Sequence, residues 1–239
     1  MTPFLFGLLA ALGNMVGAFV VVRHARRGLH VVEQFVAFGA GFMISAVVLA
    51  MLPEALERPG APIYVLAGFL AVHLAQHVLT PHFHFGEETH HISASAGVSA
   101  LLGLSLHTLF DGVAIASGFL VSPELGVLLF LAVFLHKLPE GVTMASVMLA
   151  GGQGASRALG AAGVLGAATI AGVGLTQLIS PLATHGLSLS AGVTLYVAAS
   201  NLVPEFQARR GWAISAAFFG GAAAMIVTRL LLHALGLTT

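Results

Sequence analysis

Read as hydrophobic and polar positions, the chain is a series of long apolar stretches cut by short polar breaks. A helix that crosses a bilayer needs about 20 mostly apolar residues. Cutting at charges, prolines and glycine-rich breaks predicts eight such helices, over 3–22, 34–53, 62–80, 96–120, 124–149, 157–180, 188–207 and 212–236. ERPGAP, VSPEL, GGQGAS and QARRGW are typical of the breaks. The exception is PHFHFGEETHHISAS (81–95), a polar loop holding four of the twelve histidines. The expectation is one all-α, polytopic membrane domain over 1–239. Its apolar start reads as the first helix and not as a cleaved signal, because it has no basic leader and runs into further spans.

Composition supports the same solvent. The 239 residues are 58% hydrophobic and 8% charged, with a mean hydropathy of +0.99. Soluble domains carry roughly 25% charged residues, so these charges cannot cover a water-facing surface. A net charge of zero gives no reason to expect nucleic acid as a partner; the lipid bilayer is the expected surrounding. With no cysteine, disulfides, thiolate metal sites and cysteine catalysis are excluded together. Orientation follows from arginine. Eight spans put both termini on one side. Arg23, Arg26, Arg27, Arg157, Arg209 and Arg210 then fall in loops on the other, against Arg58 alone. The positive-inside rule makes the arginine-bearing loops cytoplasmic, the histidine-rich loop with them, and both termini external.

Two words in this apolar background carry chemistry. HTLFDG (107–112) and HKLPEG (136–141) each place a histidine four residues before a carboxylate, with glycine next. Positions i and i+4 share a helix face, so His107 converges with Asp111 and His136 with Glu140. If the fourth and fifth helices pack antiparallel, two imidazoles and two carboxylates meet: a four-ligand shell for a borderline divalent ion such as zinc. Ionisable groups inside a bilayer are costly and mark function. Mutual ion pairing without metal is the alternative. Pro139 removes a backbone hydrogen bond beside the site. The small residues around both words suit close helix packing. A second pair of words, MLPEA (51–55) and LVPEF (202–206), ends the second and seventh spans. Related words at spans two and seven, and at four and five, read as roughly mirror-like about the middle of the sequence, the organisation of inverted-repeat transporters.

The eight spans, the histidine-rich loop after the third, and the two histidine words together resemble the ZIP (ZRT/IRT-like) metal transporters over essentially the whole chain. That resemblance implies passage of zinc, or a similar ion such as Cd2+ or Fe2+, into the cytoplasm across the inner or plasma membrane, by an elevator-like or rocking movement of helix bundles. It also implies ligands at His107, Asp111, His136 and Glu140. The segment GFM (41–43) resembles one that offers a methionine sulfur, which makes Met43 a fifth candidate; a gap-filling core methionine is the other reading. Many relatives have asparagine where this chain has Thr108. Relatives with two metals have a carboxylate or amide where it has Lys137. An ammonium there repels a second cation and stands in for it. The sixth span offers only Thr169, Thr176 and Gln177, so one ion is expected and not two. Many relatives carry histidine and glutamate where this chain reads Ser200 and Asn201.

Glu54 and Glu205 of the Pro-Glu words, Asn201, and the i, i+4 pair His73 and His77 are expected along the ion path. His82, His84, His90 and His91 with Glu87 and Glu88 suggest weak capture of the ion by the loop, or no more than a solvated loop. Arg229 and His233 read as side chains snorkelling to the interface. Glycine- and alanine-rich faces leave a homodimer open. Because ligands bind deprotonated, uptake is expected to weaken below about pH 6. The rival classes are an intramembrane zinc-dependent hydrolase, against which stand the lack of a spare base and of an HExxH word, and a metal sensor without transport.

Overall fold

A computed structural model describes residues 2–24, 30–75, 94–203 and 212–234. The described chain is helical, with no strand among these residues. The elements are α1 (Thr2–His24), α2 (His30–Ala46), a π-helical stretch (Val47–Met51) continuing into α3 (Leu52–Leu56), α4 (Ala61–Leu74), α5 (Ala94–Val121), α6 (Pro123–Ala150), α7 (Ala155–Leu178), α8 (Ser180–Tyr196) with a second π-helical stretch (Val197–Leu202), and α9 (Trp212–Ala234). Seven helical segments among the described residues are long and apolar enough to cross a membrane. The described part of the third span, Ala61–Leu74, is shorter. Leucines and phenylalanines face outward along α1 and α9, where lipid takes the place of a protein core.

The seventh helix corrects the expected start at residue 188: it begins at Ser180, with only Ile179 between it and α7. Pro181 sits in its first turn, where a missing N–H costs no hydrogen bond. The small and polar residues of SPLATHGLSLS therefore read as a break although they are helical. Arg229 also departs from expectation. Its guanidinium donates to the carbonyl of Leu49, inside the first π-helical stretch, in place of simply snorkelling. Irregular turns leave carbonyls in need of such donors.

Helix packing explains the glycines. α5, α6, α7 and α1 form a four-helix bundle, flanked by the pairs α2–α9 and α4–α8. Each of four helix pairs crosses through two glycines lying against the partner's main chain. Gly112 meets the Thr169 carbonyl and Gly172 that of Leu109. Gly17 meets the Leu138 carbonyl and Gly141 that of Asn14. Gly41 and Gly221 join α2 to α9, and Gly68 and Gly192 join α4 to α8, in the same manner. A side chain at any of these positions would drive into backbone.

These contacts carry an internal symmetry. Exchanging first span with sixth, second with seventh, third with eighth and fourth with fifth turns α1–α6 into α7–α5, and α2–α9 into α8–α4. Every exchange pairs an odd span with an even one, so the two halves run in opposite directions. This corrects the mirror order, which would exchange the first span with the eighth. The words at spans two and seven, and at four and five, are matched under both schemes, so they alone do not separate them. Both Pro-Glu words follow a π-helical stretch, in keeping with the same exchange.

Candidate metal centre

α5 and α6 are joined by a single residue, Ser122, whose hydroxyl caps α6 by accepting from the Leu125 amide at 3.1 Å. So short a link makes the helices antiparallel neighbours, and both histidine words come to the same depth. One ligand atom from each of His107, Asp111, His136 and Glu140 lies within 4.8 Å of the others, and all four residues are buried.

Asp111 Oδ2 is the focus. His107 Nε2 is 3.3 Å away, His136 Nε2 3.2 Å and Lys137 Nζ 2.7 Å. Across the ring, His136 Nδ1 is 2.9 Å from the carbonyl oxygen of Ala132. A carbonyl only accepts, so Nδ1 donates, and in the neutral ring Nε2 presents its lone pair to the carboxylate. The same nitrogen is at hydrogen-bond distance from the carboxylate, so a protonated ring would donate there, while a neutral ring offers its lone pair to an ion. Neither ring nitrogen of His107 has a hydrogen-bond partner among the described residues, and neither has Asp111 Oδ1. The site thus keeps unused donor atoms while sealed from solvent.

Lys137 fills the second half of the site. Fully buried, its ammonium contacts Asp111 Oδ2, Glu140 Oε2 at 2.6 Å and Thr108 Oγ1 at 3.2 Å, which uses all three N–H groups. Thr108 in turn donates to Glu140 Oε1 at 2.5 Å. With neutral imidazoles the cluster carries two negative charges and one positive. It attracts a dication at the histidine end, and a cation already occupies the other.

A family model for ZIP zinc transporters matches residues 86–229, more than half of the chain and the whole of this site. The chain belongs to the ZIP zinc transporter family. Members are metal transporters and not enzymes, so transport of a metal cation across a membrane is the coarse function, and the buried His/Asp/Glu cluster fits a metal site. No curated protein matches the chain.

The other expected residues are placed less centrally. Met43 is fully buried in an apolar cluster with Ala114, Leu128, Leu129 and Ala132, a packing environment. Glu54 is half-buried in α3. His73 is exposed, with its Nδ1 3.4 Å from the Tyr196 hydroxyl. Asn201 belongs to the second π-helical stretch, and its side chain lies outside the described residues, as do Glu205, His77 and the histidines of the 81–95 loop. Thr169 and Thr176 donate to carbonyls of their own helix, Leu165 and Gly172, and Gln177 is exposed. Pro139 leaves the Leu135 carbonyl without its helical donor, and that carbonyl faces Gly39 of α2. One residue escaped the sequence reading. Asn14 is fully buried in α1, with its main chain against Gly141 and neither side-chain polar atom partnered among the described residues. The available signal was its place as the single polar side chain between Pro3 and Val22.

Proposed function

We propose that this protein moves zinc into the cytoplasm across the cell membrane, one ion at a time. His107, Asp111, His136 and Glu140 are its ligands in a dehydrated site between α5 and α6. The observation that carries this reading is the buried Asp111 carboxylate with two imidazole nitrogens turned toward it, one of which has its other nitrogen already committed to the Ala132 carbonyl. Two imidazoles and two carboxylates favour zinc or cadmium over manganese. Lys137 supplies the charge that a second ion supplies in two-metal sites, which supports a single cargo ion. Passage proceeds by alternating access: the bundle that holds the ligands shifts against the helix pairs flanking it.

The test is zinc uptake into liposomes reconstituted with the purified protein, beside His136→Ala and Glu140→Ala. Gradient-dependent uptake that falls to background in both variants is expected. Stoichiometric zinc binding without uptake would replace transport with a sensing or hydrolytic role.

A further inference from the structure

Three polar side chains deep in the protein lack a hydrogen bond among the described residues and lie outside the ligand set: Ser117, Ser188 and Asn14. Ser117 lies against Gly186 of α8, whereas Asn14 belongs to α1, whose main chain packs on the part of α6 that carries Lys137 and Glu140. Ala10 packs with Ile115 of α5 and Val133 of α6; Ala18 packs in a cluster with Leu104 of α5 and Met144 and Ala145 of α6. Asn14 is one helical turn from each, so the row 10–14–18 runs along the α5–α6 seam. Its main chain rests on Gly141, next to Glu140, and a Cβ on the neighbouring Gly13 would stand 3.0 Å from Cβ of Lys137. Thr169, its counterpart under the internal exchange, lies against Gly112, next to Asp111, but uses its hydroxyl on its own helix.

We propose that Asn14 is a positioning residue: its carboxamide oxygen receives the Lys137 ammonium when the ion arrives. This rests on the metal reading above. In the structure both Glu140 oxygens are occupied, Oε1 by Thr108 and Oε2 by Lys137. Each oxygen keeps a further lone pair for a metal ion, but an ion bound there lies beside the ammonium held by the same carboxylate. Of the two donors, the ammonium is the one a dication repels. Lys137 has only donors to offer, and a buried ammonium released without an acceptor is strongly disfavoured. Asn14 Oδ1 is a buried acceptor with no donor among the described residues, carried by the helix that touches the lysine stem. The hand-over moves one N–H of the lysine from Glu140 to Asn14, while its contact with Asp111 keeps the charge in the second half of the site.

The experiment is zinc-binding calorimetry on the full chain in detergent, comparing wild type, Asn14→Leu, Asn14→Asp, Lys137→Met and the double variant Asn14→Leu/Lys137→Met. Loss of one hydrogen bond to a charged group predicts about tenfold weaker binding for Asn14→Leu. Asn14→Asp, which keeps an acceptor of the same shape, restores it. In the Lys137→Met background Asn14→Leu adds nothing, the signature of coupling through the lysine. Unchanged affinity in Asn14→Leu, or an equal loss with and without Lys137, would overturn the proposal. Should Asn14→Leu not fold, Asn14→Ala against Asn14→Asp makes the same comparison. Failure of the metal reading looks different: wild type binds no zinc, or His136→Ala binds it undiminished.

Discussion

At the scale of residues, the proposed single cargo ion rests on Lys137. Its ammonium lies 2.7 Å from Asp111 and 2.6 Å from Glu140, a bridging position between two carboxylates that a second cation would otherwise take. Lys137→Glu removes that charge and adds an oxygen ligand. The bound zinc measured by elemental analysis after dialysis is expected to rise from one to two per chain; a value that stays at one would show that the fixed charge is not what limits the site. Proton competition belongs to this scale as well. Binding needs imidazole lone pairs, so protonating His107 or His136 removes a ligand and adds a repelling charge. Uptake should therefore weaken as the medium is acidified, measured as initial rates at a fixed zinc concentration and with the inner pH clamped. The four clustered residues were legible because i, i+4 spacing places side chains by arithmetic. Asn14 was not, because its significance depends on which helix faces α6, and nothing local in α1 encodes that.

Among elements, close approach is the organising fact. The glycine ending each histidine word lets a neighbouring helix lay its backbone against the site: α7 behind Asp111 and α1 behind Glu140. The motif thus specifies ligands and the packing that holds them. Gly112→Ala would push its new methyl into the Thr169 carbonyl, and overpacking of this kind costs about 1–3 kcal/mol. Gly160, on the same α7, has open space around a would-be Cβ, so Gly160→Ala is expected to stabilise by about 0.5–1 kcal/mol through helix propensity alone. Thermal unfolding in detergent should show opposite shifts for the two, and equal shifts would mean that the α5–α7 contact gives way easily. Helix existence was readable from hydropathy. The start of α8 was not, because proline and small polar residues suit a first helical turn as well as a loop, and the π-helical stretches leave no mark in the pattern of apolar positions.

For the molecule as a whole, packing separates the bundle α1–α5–α6–α7, which carries all four proposed ligands and Asn14, from the flanking pairs α2–α9 and α4–α8. The bundle meets those pairs mainly through α5 against α8 and α2 against α6. Symmetry between inverted halves was hinted at by paired words, but the correct exchange became visible only in which helices touch. Movement of one body against the other makes a test that the chain suits well, since it has no cysteine of its own. Two cross-links have matching geometry. A Cβ at Gly186 of α8 lies 3.8 Å from Cβ of Ser117 on α5, across the boundary, and one at Gly7 of α1 lies 3.8 Å from Cβ of Val173 on α7, inside the bundle. Both distances suit a disulfide, where Cβ atoms are about 3.5–4.5 Å apart. Oxidising Ser117→Cys/Gly186→Cys should stop zinc uptake and reduction should restore it, while oxidised Gly7→Cys/Val173→Cys should continue to transport. If the boundary cross-link left uptake intact, the bundle would not need to slide past α8, and a route opened by side chains alone would take the place of bundle movement. If the internal cross-link stopped uptake as well, the bundle would not move as one body, and rearrangement between α1 and α7 would become part of the cycle.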